Sequence, residues 1–599
     1  MRITYCIILI ILGLQLSAQN YTDYLGAGHS LGMTVTSSDD SGNSSAMKTI
    51  DGAGLDADLF DASRFIAQAS FGASRADIES LAETLDFEGW IDAQIALPQT
   101  DFLATTEEVW DTVLFHRLAN GYDPDEVSIH GARHLEWNYS WWQALMDGDD
   151  QLRQKIAYAL SQIFVISNES DLRGFGFAVA SYYDLFMDNS FGNVEDLLMD
   201  VTLSVPMGFY LSHLNNPKED LEENIHPDQN YAREIMQLFT IGLYELNQDG
   251  SRKKAANGDD IPTYDNDDII EMANVFTGLG PGGVMDFVTW TNDPYFGLGM
   301  HGADKTVPMV MYENFHETKE KVILDGDLIL PANQAGMTDI QQAINFLFNH
   351  ENTPPFLSRL LIQRLVKSNP SPAYISRVSD AFIDNGSGVR GDMEAIVKAI
   401  LLDAEARECA PMQDEFAPRM REPVTKYIHI SKALALDSPL GRYWNSSFNF
   451  LNNASQMTLY SPSVFNFYSP DYHPVGLLAN NGYKAPEFFL HNTSTATGYI
   501  NQVYSWTFWN SYLYSWEDNY GDIDVDLVTD ELHGFADEPE KLMNELDIRY
   551  THGQLTDETR TIIRSAIEGV PNSWSDYDYQ RTRVALYLMF ISPDYNIMR

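Results

Sequence analysis

The spacing of apolar residues constrains this chain more than any other feature. Leu152, Ile156, Leu160, Ile163 and Phe164 fall at i, i+4, i+8, i+11 and i+12, which is one stripe of an α-helix. Leu197, Leu198, Val201 and Leu203 mark a second buried helix, and helical patterns recur over 338–350, 354–367, 372–384, 391–407 and 584–591. Near the start of the compact region, Phe65, Ile66 and Ala69 with Phe71-Gly72 end a short helix, and Ser74-x-x-Asp77 starts the next as a capping box. Strand-like alternation is scarce, the clearest case being the short run Asp522-Ile523-Asp524-Val525-Asp526. Polar or Gly-rich insertions at 247–266 and 279–314 predict loops or hairpins. The expected fold is mainly α: a large irregular multi-helix domain with long loops and at most small β hairpins.

The N-terminal residues follow a different logic. Arg2 gives a positive n-region, Ile7 to Leu14 an apolar h-region, and Leu16-Ser17-Ala18 a small-residue end, so residues 1–19 read as a cleaved secretory signal peptide. Cys6 precedes the h-region, which argues against a lipoprotein, and its removal leaves Cys409 as the one thiol of the mature chain. Residues 20–57 form a Gly/Ser/Asp-rich leader, and residues 58–599 are expected to form a single large helical domain. The mature chain has no apolar run of transmembrane length. Its 37 Lys and Arg against 86 Asp and Glu give a formal charge of −49, which excludes a general nucleic-acid binder. The expected compartment is the periplasm or the medium.

Four motifs mislead. Gly28-His29-Ser30-Leu31-Gly32 matches the nucleophile elbow of α/β-hydrolases but has no strand series before it. Gly386-Ser387-Gly388-Val389-Arg390-Gly391 matches a dinucleotide fingerprint but follows the helical spacing of Tyr374, Val378 and Phe382, so it reads as a turn between helices. His130 and His134, with Glu136 nearby, lack a third characteristic metal ligand. Asp522, Asp524 and Asp526 read as a solvated acidic loop rather than a calcium clamp. No metal site is assigned, and no cofactor is identified.

The segment from His226 to Phe239 is the most informative. Pro227 and Asp228 suit the first turn of a helix. At 100° per residue, Asn230, Arg233, Glu234 and Gln237 share one face, while Tyr231, Ala232, Ile235, Met236, Leu238 and Phe239 cover the other. The ordinary reading is an amphipathic helix whose polar face meets water. The functional reading has that face line a pocket, with His226 at its mouth, Arg233 holding an anion and Glu234 as acid or base. His316-Glu317-Thr318-Lys319-Glu320-Lys321 is a second polar cluster that would close over the same pocket.

At these residues the chain resembles the exported bacterial proteins grouped under domain of unknown function 1800. The resemblance is carried by Ala62-Ser63-Arg64-Phe65 through Gly72, by Leu152-Arg153-Gln154-Lys155 through Phe164, and by the His226 to Gly242 helix. Asp267 to Gly278, His316 with Lys321, Leu361 to Pro372 and the Asn385 to Asp392 turn extend it. Arg421-Glu422-Pro423, Ser461 to Phe467, Ala485-Pro486-Glu487-Phe488 and Ser592-Pro593-Asp594-Tyr595 complete it. Other branches carry Trp-His-x-His-Phe where this chain has Leu160-Ser161-Gln162-Ile163-Phe164, so the resemblance brings no histidine metal site here.

The resemblance implies a mainly helical fold without assigning an activity. Genes of such proteins often neighbour those of an exported sulfatase/phosphatase-like family. Two expectations follow. One is an enzyme acting on an envelope or extracellular polymer, with His226, Arg233, Glu234, His316 and Lys321 catalytic and Asn230 and Gln237 binding substrate. The other is a non-catalytic helical scaffold or accessory protein that binds a co-exported sulfatase/phosphatase-like enzyme. The first requires the five side chains to converge in one concave site; the second expects them dispersed or locked in ion pairs.

Overall fold

Apolar helix faces need a common core, and here nearly all of them share one. The computed structural model describes residues 57–123, 131–286, 288–407 and 419–598; residues 1–19, expected as a signal peptide, the expected leader up to residue 56, the Gly28–Gly32 pentapeptide, His130 and Cys409 lie outside these residues. A continuous apolar cluster runs from Phe60 to Tyr595 and includes Leu152, Ile156, Leu160, Ile235 and Phe239, with Leu238 half-buried against it. The protein is mainly α-helical, with three small two-stranded antiparallel pairs among the described residues.

Local chemistry explains the helix starts. Ser74 and Asp77 form the predicted capping box of the helix Arg75–Ala82. Ser371 caps Pro372–Ile383 with Pro372 in its first turn, and Asn492 with Thr495 does the same service for Thr493–Phe508. The glycine-rich 386–391 segment is a turn between Pro372–Ile383 and Met393–Leu401. Asp384 and Asn385 accept its backbone N–H groups, and at Gly391 (φ 73°) a Cβ would meet the Phe348 ring at 2.5 Å.

At the centre, the helix His134–Asp147 places Trp137, Trp141 and Trp142 fully inside. Trp142 meets Tyr427 edge-on at 4.8 Å, and Tyr427 stacks on Tyr512 at 4.1 Å. Arg419–Met420 pairs with Ile597–Met598, so the end of the described chain is tied beside the start of the helix Pro423–Leu434.

Two loop expectations sharpen. The 247–266 insertion is a hairpin-like loop held by the bridges Tyr244 to Pro262, Leu246 to Arg252 and Lys254 to Asp260. The Asp522–Asp526 alternation is not a strand. Ile523, Val525 and Leu527 are buried, but among the described residues no strand pairs with them, so period-two burial here belongs to an irregular segment lying on the core.

Candidate functional site at a helix-to-π junction

The helix Asn230–Glu234 passes directly into a π-helix, Ile235–Thr240. The wider turn is visible in Thr240, whose hydroxyl donates to the Ile235 carbonyl, and in Ile241 N–H, which reaches back to Met236 at 3.1 Å. Such π segments are rare in helices and cluster at functional sites. Gly242 ends it with φ 71°, where a Cβ would press the Phe356 ring at 2.8 Å. A uniform 100° wheel cannot see this change of phase, which is why Leu238 is less buried than its apolar neighbours.

Tyr231 anchors the segment. Its ring stacks on His213 at 3.9 Å and meets Phe276 edge-on at 4.9 Å, and its hydroxyl lies 2.7 Å from the Thr202 hydroxyl. His213 Nε2–H donates to the Thr202 carbonyl at 2.9 Å, leaving Nδ1 buried without a partner. Burial pushes this imidazole down to about 4, so it is neutral at physiological pH.

Glu234 is half-buried, and its Oε2 is shielded from solvent without a hydrogen-bond partner. Burial raises its carboxyl above the ordinary range, with the Arg233 charge pulling the other way. Arg233 itself makes no side-chain hydrogen bond or ion pair among the described residues. Tyr264 and Tyr210 flank the pair and are pushed up to about 12, mainly by burial and further by the Glu234 charge, while the Arg233 charge opposes the shift of Tyr264. The Tyr264 hydroxyl is also buried without a partner. Asn230 is exposed, its backbone N–H held by the Asp228 carboxylate at 2.9 Å, and Gln237 is half-buried.

The remaining predicted residues sit elsewhere. His316 and Lys321 converge, but on a residue that the sequence did not single out. Asp339 Oδ2 receives His316 Nε2–H at 3.1 Å and Lys321 Nζ at 2.7 Å, and Oδ1 receives Gln334 at 2.6 Å. All three triad members are buried. Burial would raise Asp339, but the bonds from His316 and Lys321, the lysine charge and Gln334 together hold it below its ordinary value. Lys321 also donates to the carbonyls of Glu317 and Lys319, and His316 Nδ1 lies 2.9 Å from that of Thr277, so each member of the triad is tied to its surroundings. This is a strut rather than a lid over a pocket. His226 lies outside it on the surface, 3.4 Å from Glu219, which in turn pairs with Lys319 at 2.9 Å. The Arg233–Glu234 pair has no direct bond to the triad or to His226 among the described residues.

Sequence reading also missed a larger buried network around Glu422. This residue is the N-cap of Pro423–Leu434, so the positive helix end favours its charge. Oε2 accepts from Tyr158 at 2.7 Å and from Gln162 and Gln456, each at 2.8 Å. Oε1 accepts from Arg419 at 3.1 Å and from Tyr468. Burial opposes ionisation, yet the Arg419 charge and the bonds from Tyr158 and Tyr468 outweigh it and hold Glu422 at about 2. Arg419 also reaches Glu487 at 3.2 Å. A usable signal existed: Lys155, Tyr158 and Gln162 recur at i, i+3 and i+7, a polar stripe on a helix whose opposite stripe is apolar.

Among the described residues no helix is long and apolar enough to cross a membrane, and no group of three or more His, Cys, Asp or Glu side chains is arranged to hold a metal ion. No curated protein and no solved structure matches the chain. Residues 64–597, nearly the whole chain, match a family model described as protein of unknown function (DUF1800), and the chain belongs to that family.

Proposed function

We propose that this chain is exported to the periplasm or the medium and acts there as an enzyme on an envelope or extracellular polymer, with Glu234 as proton donor and Arg233 as clamp for an anionic group. The observation that carries this reading is the state of Glu234: among the described residues, a shielded carboxylate oxygen without a partner, beside an arginine without an ion pair and a tyrosine hydroxyl without an acceptor. A buried polar group left unpaired costs roughly 1–3 kcal/mol, and here the unpaired oxygen belongs to an ionisable carboxyl next to a cation. A carboxyl raised by burial is biased toward the protonated form that a general acid needs. Tyr210 and Tyr264 keep their protons at neutral pH and can donate to substrate oxygens. The His316–Asp339–Lys321 triad supports the neighbouring backbone rather than the chemistry.

The test is to incubate the mature chain with purified envelope and with sulfated or phosphorylated polysaccharides, scoring released reducing ends, sulfate and phosphate. The wild type should release product, and Glu234→Gln should lower the rate by roughly 10²–10⁴-fold at unchanged melting temperature. Product release that survives Glu234→Gln would remove this residue from the chemistry.

The accessory-protein reading has its own support: His316 and Lys321 are locked on Asp339 instead of facing a cleft, and large side chains such as Phe115 and Trp516 are exposed. It expects no product with any of these polymers and co-purification of a co-exported sulfatase/phosphatase-like enzyme from the native extract.

A further inference from the structure

Away from the π-helix, the interior beside Glu422 holds three basic side chains that make no hydrogen bond or ion pair with a carboxylate among the described residues. Lys155, Arg421 and Lys426 are 6%, 5% and 3% exposed. Arg421 donates to His429 Nδ1, to His552 Nε2 at 2.8 Å and to the Tyr550 carbonyl at 3.0 Å, all uncharged acceptors, and stands 5.0 Å over the Tyr595 ring. Its Nε is buried with no acceptor. The two histidines are held neutral, mainly by burial and then by the arginine's charge, so they add no anion.

Among the described residues neither lysine makes a hydrogen bond through Nζ. Lys155 lies 4.8 Å over the Phe71 ring and Lys426 4.3 Å over the Tyr499 ring. Both are depressed to about 7, mainly by burial; at Lys155 repulsion from Arg419 and Arg421 adds to it and the Glu422 charge partly opposes it, and at Lys426 repulsion from Arg421 adds to it. Other buried cations of this protein are treated differently: Lys321 has Asp339 at 2.7 Å, Arg549 has Glu531 at 2.6 Å, and Arg560 has Asp547 at 3.2 Å. Buried cations without a hydrogen-bonded carboxylate, with Arg421 repelling each lysine, are expensive in a low dielectric unless an anion joins them.

We propose that Lys155, Arg421 and Lys426 form a binding site for a tetrahedral oxyanion, a phosphate or sulfate group. Four oxygens around one centre can accept from several basic side chains at once, whereas a planar carboxylate offers two. The group is either a free inorganic ion or the ester of a larger molecule. This inference does not depend on the Arg233–Glu234 reading, since it uses none of its residues.

Calorimetric titration of the mature chain with inorganic phosphate and sulfate, at constant ionic strength against chloride, tests it directly. Saturable binding with a Kd below about 10 mM is expected. Replacing either lysine, by Lys155→Met or Lys426→Met, should weaken it about tenfold while keeping the aliphatic stem in place. Without anion, both variants should melt at or above the wild type, because a like charge has been removed. A phosphorylated or sulfated oligosaccharide forms the second arm: tighter binding than the inorganic ion assigns the site to an ester, and equal or weaker binding assigns it to the free ion. The wild type alone decides if a variant fails to fold. Absence of saturable binding of both ions and of both esters overturns the proposal.

Discussion

Glu422 is fully buried and receives hydrogen bonds from Tyr158, Gln162, Gln456, Arg419 and Tyr468, whereas Glu234 is half-buried and keeps one shielded oxygen with none. Both stand at breaks in helices, one at the N-cap of Pro423–Leu434 and one where Asn230–Glu234 turns into a π-helix. Their carboxyls move in opposite directions, Glu422 down to about 2 and Glu234 upward. Burial acts on both, so burial does not distinguish a strut from a site. The supply of donors does: where every lone pair is answered the charge is structural, and where the fold leaves one unanswered the group is available to something else.

The largest effect that sharpens this contrast is expected at Glu422. Glu422→Ala removes five acceptor contacts and leaves Arg419 with Glu487 as its one carboxylate partner among the described residues, so it should destabilise the fold by about 3–5 kcal/mol, read as a drop in denaturant midpoint. Acid titration reports the same residue. Because its folded value lies below the ordinary 4.5, its contribution is complete above pH 4.5 and is lost as pH falls toward 2, on the order of 3 kcal/mol. A Glu422→Ala protein with wild-type acid stability would break the comparison.

Lys321→Met comes next. It strands Asp339 beside His316 in a fully buried place, and the expected cost is about 3 kcal/mol. Asp339→Asn in the same background should recover part of it, since the uncompensated charge is then gone. If Lys321→Met instead melts like the wild type but loses polymer turnover, the triad belongs with Glu234 and not with Glu422.

Glu234→Gln should hardly move the midpoint at neutral pH, or raise it slightly, while turnover falls. Its sign with pH is the reverse of Glu422. A carboxyl raised in the folded state makes the protein lose stability as pH climbs from its ordinary 4.5 through the raised value, and the glutamine variant should lack that loss. Parallel pH–stability curves for wild type and Glu234→Gln would show the carboxyl to be solvated.

The helical stripes were legible because each needs only local periodicity, and Leu152, Ile156 and Leu160 did join Ile235 and Phe239 in one core. The polar face of Asn230, Arg233, Glu234 and Gln237 was equally legible, and none of the four is buried. What the sequence could not carry were partners distant along the chain. His316 and Lys321 stand out as a polar cluster, but their meaning depends on Asp339, placed by a separate helix, Gly336–Asn349. Glu422 likewise looks like an unremarkable acid before a proline until Tyr158, Gln162, Gln456 and Tyr468 arrive from other segments. The π-turn escaped for a different reason, since an i to i+5 register leaves no mark on a wheel drawn at one fixed angle.

The smallest effect is expected at His226, and it tests where the site ends. Its side chain is 58% exposed and touches Glu219 at 3.4 Å, with Lys319 on the same carboxylate at 2.9 Å. Exposed pairs of this kind are screened by salt and hold long side chains at an entropic cost, so they add little to stability. His226→Ala should therefore leave the melting temperature unchanged at both low and high salt. Because no bond links His226 to Arg233 or Glu234 among the described residues, kcat of polymer turnover should also hold. A rise in KM with kcat unchanged would make His226 a contact for the outlying part of a polymer, as a residue at the mouth of the site would be. A fall in kcat as deep as that of Glu234→Gln would overturn the present boundary and carry the site outward along the Glu219–Lys319 surface, which then meets the His316–Asp339–Lys321 triad through the Lys319 carbonyl.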